Sequence, residues 1–431
     1  MAGVSMPAGA GERLLEELVA QTHQAAPMDL PDVASRYAKA LGMQRATLYL
    51  VDIQQRLLVP LTGREESLGV DSSLAGWAYR TLSLRVAEEG SGELIVWLPL
   101  VDGAERLGVL EVRTPALDGL KLWRLRTLAA LLAMAVTSKR ASSDTLARQA
   151  RTEAMQLPAE MLRAFLPPRT IGSDRAISTA VLEPAYELGG DAFDHSFTKD
   201  HLYASILDAM GHDLASGLAT SVAMAGCRNA RRTGADLLGL VAGVDEALAQ
   251  WLPDQFCTGV FVQLDVESGM MRWCNCGHPT PLLIREHRLV DRALECSAEP
   301  PMGLPASLAG EPRSVHETIL EPGDRVLLYT DGVVEARSED GEQFGLERFT
   351  DHIIRATAAG ARAPEVLRLL IHDILDHQDS DLSDDATILL LEWRPPGPLT
   401  GPDGRTPGGA EGWSGPGGPG TIQGAAEPRP S

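Results

Sequence analysis

Between Thr170 and Trp393 the chain runs as short β-type stretches with two helical blocks, and aspartates stand where four of these stretches meet turns. Asp191 ends Leu188-Gly-Gly-Asp191 after the run Ala176 to Leu182, and Asp208 closes Tyr203-Ala-Ser-Ile-Leu-Asp208. Asp331 closes Arg325-Val-Leu-Leu-Tyr-Thr-Asp331 before Gly332, and Asp384, with Asp385 beside it, precedes the run Ile388 to Leu391. A strand interior that is apolar on both faces is buried in the middle of a sheet, so a carboxylate at its end lies on the rim of packed layers. Several such carboxylates in one partly desolvated place repel one another. The usual compensation is a hard divalent cation with oxygen ligands, Mg²⁺ or Mn²⁺. Taken singly, each acid is an ordinary turn residue, since Asp-Gly is a common turn. Four in one segment point instead to a metal site at a sheet edge.

The rest of the chain sets the frame for that site. At 431 residues it is too long for one ordinary domain. An apolar share of 44% supplies real cores. A formal net charge of −21 argues against broad contact with nucleic acid or anionic lipid, which relies on clustered Lys and Arg. Apolar stretches such as Leu128 to Val136 fall well short of a membrane span. The first eleven residues lack the pattern of a secretory signal. Five cysteines in a chain of this length suit a reducing compartment, and the expected location is the cytoplasm. Cys274-Asn-Cys276-Gly-His278 lacks the usual zinc spacing, and its alternation fits a strand.

Five segments are expected. Residues 1–11 read as a flexible start. Residues 12–139 open on helical patterns around Leu14 to Val19 and from Val33 to Leu41. They continue with the hairpins Ala46–Asp52/Arg56–Pro60 and Glu93–Leu100/Arg106–Arg113, and close on a helix from Leu120 to Thr137. This order of elements resembles a GAF domain, a small-ligand or dimerisation module. Residues 140–169 read as a helical linker, interrupted by Pro158 and stopped by Pro167-Pro168. It serves either as a plain connector with a homodimer contact or as a signalling helix paired with its copy. Residues 170–394 carry the aspartates, and residues 395–431 form a Pro- and Gly-rich tail expected to be disordered.

The motifs of the fourth segment resemble PPM/PP2C-type serine/threonine phosphatases of the sporulation and stress-sigma-factor branch. The resemblance rests on Gly189-Gly-Asp-Ala-Phe-Asp194, Asp208-Ala-Met-Gly-His212, the Asn-x-Gly-His-x-x-Pro turn in Trp273 to Pro281, Leu320 to Ala336 with Gly341-Glu-Gln-Phe-Gly345, and Asp384-Asp-Ala-Thr387. It implies an α/β (α+β) fold in which an α/β/β/α sandwich of two antiparallel sheets flanked by helices follows the GAF-like α/β domain. It further implies a pair of Mn²⁺ or Mg²⁺ ions held by Asp191, Asp208, the Ala209 carbonyl, Asp331 and Asp384, with Asp385 the second choice for the last position. The implied reaction is hydrolysis of phosphoserine or phosphothreonine by two-metal activation of water. The implied partner is a phosphorylated STAS-type anti-sigma-factor antagonist, with a small-molecule ligand for the GAF-like domain. His212 has two roles open, proton donor to the leaving oxygen or structural hydrogen-bonding group. Where the family has Gly-His-Gly, this chain has Gly-His212-Asp213, and Asp213 either caps the following helix or alters substrate access. The competing reading is a catalytically silent phosphoprotein-binding or scaffolding module; a complete set of aspartates speaks against it.

Overall fold

The first apolar runs pair as their alternation predicts. The computed structural model describes residues 10–62, 65–90, 92–187, 189–211, 213–297, 299–304, 313–378 and 384–394, all within one compact unit. Helices α1 (Ala10–Gln24) and α2 (Leu30–Ala40) precede the antiparallel hairpin of β1 (Arg45–Val51) and β2 (Leu57–Pro60). β3 (Leu68–Gly69), α3 (Leu74–Thr81) and β4 (Arg85–Glu88) follow, then the second hairpin, β5 (Leu94–Asp102) and β6 (Glu105–Thr114). Its two-residue turn places Gly103 at φ 59°, a left-handed conformation that such turns require. The six strands form one antiparallel sheet in the order β3-β2-β1-β6-β5-β4. Helix α4 (Gly119–Arg140) buries Leu125, Leu128, Leu132 and Val136 in the core that also holds Leu98 and Leu110. α1 already begins at Ala10, inside the start expected to be flexible; the tail 395–431 lies outside the described residues.

The linker departs from its expectation. Residues 141–165 hold two short helices, α5 (Asp144–Gln149) and α6 (Leu157–Phe165), and Pro158 sits in the first turn of α6. The N–H groups of a first turn have no intrahelical acceptor, so a proline costs nothing there. Pro158 therefore starts a helix instead of interrupting one.

The second half builds two more sheets. In order it comprises β7 (Thr170–Gly172), β8 (Ala176–Glu183), β9 (Asp191–Phe197), β10 (His201–Ala209), α7 (Leu214–Arg232) and α8 (Leu237–Trp251). β11 (Cys257–Asp265), β12 (Met270–Cys276), β13 (Leu282–Arg285), β14 (Arg288–Leu289) and β15 (His316–Ile319) come next. β16 (Arg325–Tyr329), α9 (Asp331–Glu335), α10 (Gly345–Ala358), α11 (Ala363–His377) and β17 (Ala386–Trp393) complete it. One antiparallel sheet runs β15-β12-β11-β10-β9 and the other β14-β13-β16-β17-β8-β7. α7 and α8 cover the first sheet, and α10 and α11 cover the second. The result is the expected α/β/β/α sandwich. Asp191, however, opens β9 instead of ending the run before it. Asp213 caps α7 by accepting from the Ala215 and Ser216 N–H groups at 2.8 and 3.0 Å. Among the described residues no helix is long and apolar enough to cross a membrane.

Polar side chains join the first lobe to α11. Arg368 is fully buried and donates to both carboxylate oxygens of Asp71 and both of Glu365, at 2.6–3.0 Å. Arg106 donates to Glu365 at 2.9 Å and lies over the Tyr79 ring. His372 Nε2 donates to the Gln54 carbonyl at 2.8 Å.

Glu183, at the end of β8, is 4% exposed and meets the Gln54 amide at 3.5 Å. Burial pushes its carboxyl up to about 7, against the pull of the Arg163 guanidinium. A raised carboxyl pKa means that the folded chain holds a proton the unfolded chain has already released. Stability from this group is therefore present in acid and lost as pH rises through about 7. Glu183→Gln removes that loss. Urea unfolding should show the variant gaining roughly 2 kcal/mol on the parent between pH 5 and pH 8; a gap that stays constant with pH would contradict it.

Candidate active site

The aspartates meet where the ends of the two sheets face each other. Asp191 and Asp208 lie directly opposite on β9 and β10. β16 ends at Tyr329, so Thr330 and Asp331 follow at the rim, and Asp384 and Asp385 lead into β17. Asp191 is 3% exposed, and its Oδ2 accepts from the Thr330 hydroxyl at 2.7 Å. Thr330 is fixed in turn by exchange with Thr387: its hydroxyl oxygen accepts the Thr387 N–H at 2.9 Å, and its N–H reaches the Thr387 carbonyl at 3.0 Å.

Asp384 and Asp385 have different surroundings. Asp385 is buried, and its Oδ2 accepts the Gly189 and Asp191 N–H groups at 2.9 and 3.2 Å. It braces the turn that carries Asp191. Asp384 is exposed and accepts the Asp385 N–H at 2.9 Å. Asp331 is likewise exposed, at the start of α9. The Ala209 carbonyl faces the Gly189-Gly190 turn so closely that a Cβ on Gly190 would lie 2.4 Å from it. His212 lies outside the described residues.

Glycine at 332 answers to a similar approach, since a Cβ there would lie 2.1 Å from the Asp385 carbonyl oxygen. The neighbour is backbone and has no rotamer by which to yield. Gly332→Ala should therefore destabilise the fold by about 1–3 kcal/mol through overpacking. A urea midpoint equal to the parent's would count against this close approach.

The electrostatics of the group suit a cation. Burial, then the charges of Asp331, Asp384 and Asp385, push the Asp208 carboxyl up to about 7. Burial and the charges of Asp208 and Asp385 raise Asp191 well above the usual carboxylate range. These are all-oxygen donors of one sign, as a hard divalent cation demands. Among the described residues no three His, Cys, Asp or Glu side chains are drawn together closely enough to form a ligand shell.

Residues that the aspartate pattern did not single out hold the site in place. His278 is buried; its Nε2 donates to the Tyr329 carbonyl at 3.1 Å and its Nδ1 accepts from the Thr258 hydroxyl at 2.8 Å. Burial lowers its pKa to about 4, so the ring is neutral and one tautomer satisfies both bonds. Thr258 stands opposite Asp208 on β11. The Asn275 side chain clasps the turn, accepting the His278 N–H at 2.8 Å and donating to the His278 carbonyl at 2.9 Å. Asp194, 1% exposed, binds Arg228 and Arg231 and ties β9 to α7. The signal for Asn275 and His278 lies in the Asn-Cys-Gly-His motif and that for Asp194 in Gly-Gly-Asp-Ala-Phe-Asp, whereas Thr258, Arg228 and Arg231 have none.

Residues 198–394 match the family model described as Stage II sporulation protein E (SpoIIE). The match includes Asp208, Asp331, Asp384 and Asp385 and begins just after Asp191. Phosphoserine phosphatase RsbU of Bacillus subtilis is 21% identical over 216 residues, covering 49% of this chain and 62% of its own length. Protein IcfG of Synechocystis sp. is 27% identical over 137 residues, 32% of this chain and 20% of that protein. The chain thus spans less than two thirds of either relative. Among solved structures, the SiaA-PP2C domain of Pseudomonas aeruginosa has a TM-score of 0.46 at 21% identity, covering 55% of this chain and 94% of that one. The RsbU and RsbW domains of a Mycobacterium tuberculosis protein give 0.45 at 24% identity, with 53% and 63% covered. Residues 198–394 are thus similar to the SpoIIE family of PP2C-type phosphatases.

Proposed function

We propose that the chain is a divalent-metal-dependent protein phosphatase acting on phosphoserine or phosphothreonine of a regulatory protein. The observation that carries this reading is the gathering of five aspartates at the seam of two sheets, where burial and neighbouring acids raise Asp191, Asp208 and Asp385 above the usual carboxylate range, in a stretch that matches the SpoIIE family model from residue 198 on. Asp191, Asp208, Asp331, Asp384 and the Ala209 carbonyl are the assigned cation ligands. Asp385 is assigned to positioning, because its Oδ2 is committed to two backbone N–H groups. Two Mn²⁺ or Mg²⁺ ions bound there would supply Lewis-acid activation of water and neutralise phosphoryl charge. Thr330 orients Asp191, and His278 with Thr258 fixes the strand ends that carry Asp208 and Asp331. His212 is assigned proton donation to the departing oxygen.

The substrate in this reading is a phosphorylated STAS-type anti-sigma-factor antagonist, and the first lobe is a GAF-like regulatory module that also forms a homodimer with the linker. It fits a chain without a membrane-crossing helix among its described residues, working in the cytoplasm. Purified protein with Mn²⁺ should release phosphate from a phosphoserine-bearing antagonist, and Asp331→Asn should abolish the release. Equal inertness of parent and variant with Mn²⁺, Mg²⁺ and several phosphoproteins would sink the proposal.

A further inference from the structure

A cavity of about 540 Å³ lies between the β1–β2 turn and the segment leading from α6 into β7. None of the five aspartates lines it. Three arginines do: Arg140 at the end of α4, Arg163 on α6 and Arg169 just ahead of β7. Its acids are Glu105 and Glu183. Both are engaged, Glu105 by the Thr170 N–H at 2.8 Å and Glu183 by the Gln54 amide at 3.5 Å. With burial raising Glu183 to about 7, part of its negative charge is absent at neutral pH. Among the described residues Arg163 makes one side-chain hydrogen bond, Nε to the Ala185 carbonyl at 2.8 Å. Arg140 and Arg169 have no hydrogen-bond or ion-pair partner for their guanidiniums among the described residues. Burial pulls the Arg163 guanidinium down to about 10, with Glu183 only partly restoring it. The cavity thus holds a surplus of positive charge in a chain whose net charge is −21.

We propose that this cavity binds a small phosphorylated anion, a mono- or diphosphate of metabolite size, through Arg140, Arg163 and Arg169. Guanidinium forks match phosphate oxygens in pairs, and the volume falls within the range of small-molecule sites. Such a ligand spans the end of α4, the linker and the edge of the sandwich, so its binding clamps the first lobe to the second.

Calorimetric titration of the full chain tests this, in about 150 mM salt so that diffuse charge attraction is screened. EDTA is included to keep metal ions from the aspartates. Inorganic phosphate and pyrophosphate are the probes in one arm, and ADP in the other. At least one should saturate at one site per chain with Kd below about 1 mM. Equal binding of pyrophosphate and ADP would assign recognition to the phosphates alone, and tighter ADP binding would add a nucleoside; both support the site. Arg140→Gln combined with Arg169→Gln should weaken binding at least about tenfold. If the double variant melts early, Arg140→Gln alone decides, with a smaller loss expected. The proposal is overturned if no probe saturates, if the arginine variants bind like the parent, or if Asp208→Asn abolishes binding and they do not.

Discussion

Asp208→Asn is expected to reduce metal-dependent phosphate release by at least about 1000-fold, a barrier increase of roughly 4 kcal/mol, without weakening the metal-free fold. Both halves of that result come from one geometry. Asp208 stands across from Asp191 at the end of two paired strands, and burial together with Asp331, Asp384 and Asp385 drives its carboxyl toward the protonated form. A carboxylate so placed is a burden until a cation arrives. The amide has the same shape and no charge, so it relieves repulsion and cannot replace an anionic ligand. Three measurements separate the roles: phosphate release with Mn²⁺, Mn²⁺ binding by calorimetry, and urea unfolding in EDTA. Loss of stability in EDTA together with unchanged Mn²⁺ affinity would show that Asp208 serves the fold and not the cation.

Much of this site was legible because strand ends leave a local signature. Apolar runs such as Arg325 to Tyr329 bury every residue, and the polar residues that follow must then lie at the rim. Which rims meet is a matter of topology. Pairing of β16 with β17, and of β17 with β8, brings Asp331 beside Asp384 and Asp385, and no spacing in the sequence states that pairing. The different surroundings of Asp384 and Asp385, one exposed and the other buried on two backbone N–H groups, are equally hidden, since the sequence shows only adjacent identical residues. The misplacement of Asp191 has a simple cause. In the sequence the Gly189-Gly190 turn resembles the end of one strand, but it is the approach to the next, with Gly190 admitted against the Ala209 and Gly211 carbonyls. Pro158 looks like a breaker in the sequence because its position in the helix, which decides whether its missing N–H matters, is set by where the helix starts.

The contacts between the lobes had no sequence signal at all. Asp71, Arg106, Glu365 and Arg368 are ordinary charged residues in their own segments, far apart in the chain. Only the packing of the first sheet against α11 shows that Arg106 and Arg368 converge on one carboxylate. The same helix rests on β8 and β17, and β17 starts immediately after Asp385. The ionic cluster is thus one helix away from the strand that delivers two of the five aspartates.

Arg368→Ala should destabilise the chain by about 3 kcal/mol, the low end of the cost of breaking a buried ionic cluster. Arg368 is fully buried and directs four hydrogen bonds at Asp71 and Glu365. Its loss strips one of two close cations from Glu365, which remains buried with Arg106 at 2.9 Å and Arg80 farther off at 4.0 Å. Arg106 moderates the penalty and places it at the lower end. Arg368→Met keeps most of the buried stem, so a nearly equal loss in that variant would assign the cost to charge and not to packing. Cooperativity supplies the second readout. The parent should unfold in urea as one transition, because the two lobes share this cluster. In Arg368→Ala the midpoint should fall and the lobes should part, with the buried Trp97 of the first lobe changing fluorescence before Trp273 and Trp393 of the sandwich. A single transition at the parent's midpoint would mean that the cluster contributes nothing to holding the lobes together, and that apolar contacts around α11 suffice.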